Sequence, residues 1–265
     1  MIINAISTIL LEKKNNNTCA LIPFITAGYP SINMTIDILY TLDRQGADVI
    51  ELGLPYTDAL ADGPIIQEAS QYSIKQGINF KQVLKIIKTV SNDINAPIVL
   101  FTYYNPVLVK GVELFIRDIS LAGAKGLIIP DLPVEETDYI INLCIEWNIE
   151  FILFIAPTSS ELRISEILSK APGCIYLVSS TGVTGIRNEI NEGIKTFSRL
   201  IKKEKEKLLI LGFGISNQDQ VATIAKWNID GIVIGSAFIN IIKTSPHSKI
   251  LSNIGRFCNQ VRLKL

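Results

Sequence analysis

The sequence predicts a TIM barrel, a (β/α)8 fold in which eight parallel strands each lead into a helix and close on themselves. Three observations predict it. Short apolar runs alternate with segments of helical periodicity along the whole chain. The runs are apolar on both faces, as in Val49-Ile50, Leu127-Ile128-Ile129 and Ile232-Val233-Ile234, the pattern of parallel strands covered on both sides. The chain has 265 residues, the length of one such barrel, and Gly46–Glu51, Gly123–Ile128 and Asn228–Val233 recur weakly as one repeated unit. An open doubly wound sheet is the competing architecture.

The elements follow in order. Residues 1–17 mix apolar positions with Glu12, Lys13, Lys14 and Asn15-Asn16-Asn17, and read as an extra N-terminal helix followed by a loop. The first strand spans 20–26, with Pro23 as an irregularity because it has no ladder donor. Pro30-Ser31 opens a helix whose Ile32, Thr35, Ile36, Leu39 and Leu42 keep helical spacing. Strands at 47–51, 97–102, 126–130 and 151–155 are separated by three further stripes. These are Phe80, Val83, Leu84, Ile87, then Val112, Phe115, Ile116, Ile119, then Val134, Thr137, Ile141, Cys144, Ile145. Ser159 is placed to cap the fifth helix. A strand at 175–178 precedes the stripe Ile194, Phe197, Leu200, Ile201, and the mixed-sign run Lys202–Lys207 reads as a solvated face. Strands at 208–212 and 230–234 complete the set, with Asn217 capping the helix between them and Ser236 opening a short helical segment. Nothing in residues 1–265 reads as a linker or low-complexity stretch, so one domain is expected.

Composition bounds the chemistry. Lys+Arg and Asp+Glu both number 25, so a neutral chain exerts no global pull on nucleic acid or an anionic membrane. A single histidine excludes a His-rich metal site and argues against a Ser-His-Asp triad. That residue, His247, lies far from any strand end and reads as a surface or cap residue. Cys19, Cys144, Cys174 and Cys258 form no CxxC pair and have apolar flanks, so they read as buried free thiols rather than metal ligands. No apolar run reaches the ~18 residues of a membrane span, and the N-terminus has neither a signal-peptide nor a transit-peptide pattern. A soluble protein that stays where it is made is expected.

Two connections are long, and long loops in a compact domain carry function. One follows the second strand, from Gly53 to about residue 79, with a helical stretch ending at Gln76; the other runs from Ser179 to about residue 191. Both leave the C-terminal ends of strands, the catalytic face of a barrel. Glu51 ends an apolar strand. There it is either a proton donor and acceptor with a raised pKa, or a carboxylate paired to a Lys or capping a helix. Asp62, before Gly63-Pro64, is a second carboxylate on the same loop, or a turn and cap residue, and Asp58 and Asp131 are similar candidates.

Strands seven and eight end in Gly212-Phe-Gly-Ile-Ser216 and Gly235-Ser-Ala237. Glycines let backbone N–H groups approach an anion, and a helix N-terminus adds a favourable dipole. With Gly185 adding a further N–H, these turns predict a phosphate site held by backbone dipoles, since no Lys or Arg lies in them.

The motifs resemble the tryptophan synthase alpha subunits. The resembling stretches are Pro23–Gly28, Glu51–Asp58, Leu60–Pro64, Asp131–Glu136, Gly182–Gly185, Gly212–Ser216 and Gly235–Ala237, in family order from end to end. The resemblance implies a barrel that cleaves indole-3-glycerol phosphate to indole and glyceraldehyde 3-phosphate in L-tryptophan biosynthesis. It implies no metal and no cofactor in this subunit. The implied partner is a pyridoxal-phosphate-dependent beta subunit that receives the indole, in an alpha2beta2 assembly. Carried over residue by residue, Glu51 and Asp62 are catalytic. Gly185, Gly214, Gly235 and Ser236 hold the substrate phosphate, Phe24, Phe101, Thr184 and Phe213 line the indole pocket, and Tyr176 stands near the substrate. Glu51 would protonate indole C3 and Asp62 would accept from the indole N–H. Loop 179–191 would act as a lid. Ala59 stands where the family commonly has Pro, a change that loosens the loop.

Two rivals remain open at this stage: another phosphate-binding barrel enzyme such as indole-glycerol-phosphate synthase, and a non-catalytic barrel subunit. The Ile-, Asn- and Lys-rich composition fits an AT-rich genome. The expected location is the cytoplasm, or the plastid stroma if the chain is organelle-encoded.

Overall fold

A computed structural model describes residues 5–178, 192–205, 207–212, 214 and 217–265. Its eight strands are β1 (Ala20–Thr26), β2 (Ile50–Gly53), β3 (Ile98–Phe101), β4 (Gly126–Ile128), β5 (Glu150–Ile155), β6 (Ile175–Val178), β7 (Leu209–Gly212) and β8 (Gly231–Ile234). They close into a barrel in sequence order, and each neighbouring pair is parallel. The helices are α1 (Ala5–Asn15), α2 (Ile32–Arg44), α3 (Pro64–Lys75), α4 (Phe80–Val90), α5 (Tyr104–Lys110), α6 (Val112–Ala122), α7 (Thr137–Glu146), α8 (Glu161–Lys170), α9 (Glu192–Lys205), α10 (Gln218–Ile224), α11 (Ser236–Thr244) and α12 (Ile250–Arg262). This is the TIM barrel that the alternating pattern predicts, with the extra N-terminal helix as α1, and it excludes the open sheet.

The apolar stripes face the strands. Ile38, Leu39 and Leu42 of α2 and Val83, Ile86 and Ile87 of α4 are fully buried. Each such side chain contributes about 1.5–3 kcal/mol by leaving water. Ser31 caps α2, its hydroxyl accepting from Met34 N–H at 3.2 Å, and Asn217 caps α10. The cap of α8 is Ser160, not Ser159: its hydroxyl accepts from Arg163 N–H at 3.3 Å.

The N-terminal mouth of the barrel is closed by α1. Ile6 and Leu10 are fully buried there. Buried Glu150, at the start of β5, accepts from the N–H groups of Ile6 and Ser7 at 3.0 Å each and from the Ser7 hydroxyl. The carboxylate thereby satisfies the open donors of the helix N-terminus. Asp48 explains why β2 begins at Ile50 rather than at 47. Its carboxylate turns to this mouth, accepts from Leu21 N–H at 2.8 Å, and pairs with Lys13 of α1 and Arg262 of α12.

Lys202 corrects the expectation of a solvated face over 202–207. Its side chain is only 7% exposed, and its ammonium donates to Asp230 at 2.7 Å and to Asn228 at 3.3 Å. Asp230 in turn accepts from Leu209 N–H at 2.7 Å. The four cysteines are buried and free, as their flanks predict. His247 lies exposed in a short 3-10 turn, His247–Lys249, before α12. Among the described residues no helix is long and apolar enough to cross a membrane.

Candidate active site

The C-terminal mouth of the barrel holds a cavity lined by Phe24, Glu51, Asp62, Ile66, Phe101, Tyr176, Gly214, Val233, Gly235 and Ser236. Strand register brings these residues together. Phe24 of β1 lies opposite Glu51 of β2, and Glu51 lies opposite Val99 of β3. Gly53 ends β2 beside Phe24, where a Cβ would come within 2.6 Å of the ring. Only glycine allows that close approach. Phe24 and Phe101 meet edge to face at 5.6 Å, and Tyr176 of β6 is stacked on Phe154 at 4.6 Å. The result is an apolar slot sized by aromatic walls.

Two carboxyl groups face into this slot. Glu51 is 1% exposed and Asp62 is 4% exposed. Burial pushes the Glu51 pKa up to about 8, and the nearby Asp62 charge adds to the rise. Burial also pushes Asp62 up, to about 6, against a hydrogen bond from the Tyr103 hydroxyl that favours its charged form. Asp62 therefore ionises first and Glu51 keeps its proton to higher pH. An acid and an acceptor stand side by side near neutrality. Burial also holds the Tyr176 phenol well above its usual range, with Glu51 and Asp62 adding to the effect.

The loop that carries Asp62 is tied at several points. Gln67 of α3 donates to the carbonyls of Ala59 and Asp62 at 3.1 and 3.0 Å. The Tyr103 hydroxyl donates to Asp62 Oδ2 at 2.9 Å and accepts from Ala61 N–H at 3.0 Å. Pro64 begins α3, where its missing N–H costs nothing.

The turns after β7 and β8 also line the slot, through Gly214, Gly235 and Ser236. Gly214 has φ of 77°, a backbone that side chains disfavour. Gly235 precedes α11, and Ser236 is its first residue, so the N-terminus of a nine-residue helix opens beside the cavity. A helix N-terminus beside a glycine turn favours a phosphate.

Of the predicted site residues, Phe24, Glu51, Asp62, Phe101, Tyr176, Gly214, Gly235 and Ser236 meet in this one cavity. Gly185, Thr184 and Phe213, and the long loop that carries the first two, lie outside the described residues. Asp58 and Asp131 are exposed and do not line it: Asp58 accepts from the Thr57 hydroxyl, and Asp131 accepts from Tyr104 N–H at the start of α5. Sequence reasoning missed Ile66, Val233 and Tyr103. The two aliphatics sit in ordinary apolar patterns, and only the folded arrangement of α3 and β8 brings them to the slot. Tyr103 follows β3 with no charge or motif to mark it.

A family model of the tryptophan synthase alpha chain matches residues 10–262. A tryptophan synthase alpha chain from Gracilaria tenuistipitata var. liui is 58% identical over 262 residues, covering 99% of this chain and 97% of the relative. One from a Synechocystis strain is 42% identical, covering 98% of each. Among solved structures, a Mycobacterium tuberculosis tryptophan synthase superposes with a TM-score of 0.90 at 28% identity, covering 98% of this chain and 97% of that one. A tryptophan synthase alpha chain from Legionella pneumophila superposes with a TM-score of 0.88 at 30% identity, covering 98% and 96%.

Proposed function

The chain belongs to the tryptophan synthase alpha chain family, and from that premise we propose which of its residues carry the reaction. The reaction is the alpha reaction of tryptophan synthase, cleavage of indole-3-glycerol phosphate to indole and glyceraldehyde 3-phosphate. A different phosphate-binding barrel enzyme and a non-catalytic barrel subunit are both disfavoured by the family match.

The carbon–carbon bond from indole C3 to the glycerol chain breaks only when the ring can accept its electrons. In this reading Glu51 delivers a proton to C3, which turns the aromatic ring into an indolenine and an electron sink. Asp62 accepts a hydrogen bond from the indole N–H and stabilises the positive charge that develops there. A base then takes the proton of the glycerol hydroxyl as its C–O becomes the aldehyde carbonyl, and the bond electrons restore the aromatic ring. Glu51, having lost its proton to C3, is placed to be that base. The single observation that supports this reading is the pair of buried carboxyls with separated proton affinities in one aromatic-walled cavity. Phe24 and Phe101 would flank the indole. Gly214, Gly235 and Ser236 would hold the phosphate by backbone N–H groups and the α11 N-terminus. Gly185 would add a donor, with Thr184, Phe213 and Tyr176 completing the pocket.

The partner is a beta subunit, and we infer an alpha2beta2 assembly in which pyridoxal phosphate resides in that partner and this chain needs no cofactor of its own. Among the described residues lining the cavity there is no lysine to form a Schiff base. Exposed Leu60 and the Tyr104–Asn105–Pro106 turn, here the first turn of α5, lie on the same face and suit a surface that passes an apolar intermediate to a partner. We read residues 1–265 as one barrel domain, working in the cytoplasm or the plastid stroma. The test is incubation of the purified chain with indole-3-glycerol phosphate, following indole, with and without the beta subunit. Indole release that rises on adding the partner is expected; no release in either mixture would overturn the reading.

A further inference from the structure

Tyr103, just after β3, lies buried against the loop that carries Asp62 and bonds to it at two points. The residue is 3% exposed, its ring stacked on Tyr56 at 5.3 Å and edge-on to Phe101 at 6.2 Å. A phenol oxygen can accept and donate at once. Here it accepts from Ala61 N–H at 3.0 Å, and its own proton goes to Asp62 Oδ2 at 2.9 Å. Gln67 holds the backbone of this loop, but Tyr103 holds the carboxylate itself. The clamp comes from the end of a different strand, so it fixes the loop against the barrel rather than against itself.

We propose that Tyr103 is a positioning residue for the cleavage: its hydroxyl orients the Asp62 carboxylate and commits Oδ2, leaving Oδ1 as the acceptor for the substrate's indole N–H. The proposal rests on the role assigned to Asp62 above. A donor bond to a carboxylate favours its charged form and so opposes the rise that burial imposes. Glu51 of β2 and Tyr176 of β6 also face Asp62, and Asp131, after β4, faces Tyr103.

The test is the pH profile of kcat/KM for Tyr103→Phe, measured with the beta subunit present. The variant keeps the ring and its stacks and removes only the hydroxyl. The acid limb is expected to move up by about one pH unit, with activity below that limb down about tenfold, while the alkaline limb stays put. Tyr56→Phe, which removes only a hydroxyl that accepts from Asn105 at the surface, is expected to leave both limbs in place. An unchanged Tyr103→Phe profile, a uniform fall at all pH values, or an equal shift in Tyr56→Phe would overturn the proposal. Carboxyl-carbon NMR titration of Asp62, assigned by difference from Asp62→Asn, reads the same link without turnover. A titration that does not rise in Tyr103→Phe overturns the link to Tyr103. A titration that rises without a shift in the cleavage profile overturns the catalytic role of Asp62 and the proposal with it.

Discussion

The Asp62 carboxylate raises the proton affinity of the Glu51 carboxyl across the cavity that both of them line. In a dry slot the first charge makes the second costlier, so the pair loses its protons in two steps. The mechanism needs Asp62 charged and Glu51 protonated, which holds between about 6 and about 8. A bell-shaped profile of kcat/KM with its maximum in that window is the expected outcome. Steady-state cleavage across pH 5 to 9 checks it, and a profile still rising at the alkaline end is the contrary result.

The same burial that activates Glu51 destabilises the fold. Its pKa is about 8 in the folded chain against 4.5 as the ordinary value. The native state therefore holds a proton that the unfolded state releases, and stability from this group falls as pH rises from 4.5 to about 8. Glu51→Gln removes the charge and is expected to raise stability at pH 8 by on the order of a few kcal/mol while abolishing cleavage. Urea unfolding at pH 5 and pH 8 measures the difference; the gain is expected to be small at the lower pH and large at the higher.

At the proposed phosphate cradle two glycines should behave differently. Gly214 has φ of 77°, and a side chain there costs roughly 1–2 kcal/mol in backbone strain. Gly235 has φ of −111°, and a Cβ would meet Phe24 and Ile66 at 3.4 Å, an ordinary contact. Gly214→Ala should weaken binding of glycerol phosphate roughly tenfold, with a smaller loss for Gly235→Ala. Calorimetric titration with the glycerol phosphate decides between this order and the reverse.

Lys202 and Asp230 form a buried ion pair below β7 and β8. Lys202→Met leaves the Asp230 charge buried without that partner and should cost about 3–5 kcal/mol. Adding Asp230→Asn, which keeps an oxygen for Leu209 N–H, should restore part of it. Denaturant titration of the single and double variants checks both statements.

Much of the fold is legible in the sequence because parallel strands bury both faces and so read as continuous apolar runs. Glu51 is legible for the same reason, a carboxyl set in an apolar run with few neighbours able to solvate it, although β2 runs on through Leu52 to Gly53 instead of ending at Glu51 as the sequence predicts. What escapes is set by partners distant in sequence. Lys202 looks solvated beside Lys203 and Glu204, and only the closure of the barrel brings Asp230 to it. Residue 47 looks like a strand start until Asp48 is seen reaching Lys13 and Arg262, in helices at opposite ends of the chain. Tyr103 has no local mark at all, because its role depends on a loop some forty residues earlier in the chain folding back beneath its hydroxyl.

Single-turnover cleavage of indole-3-glycerol phosphate by Glu51→Gln and Asp62→Asn, with glycerol phosphate affinity measured on the same preparations, tests the central assignment most directly. Each variant is expected to lose about 100-fold or more in the cleavage step, with affinity essentially unchanged. Cleavage at close to the parent rate in either variant would contradict the role given to that residue.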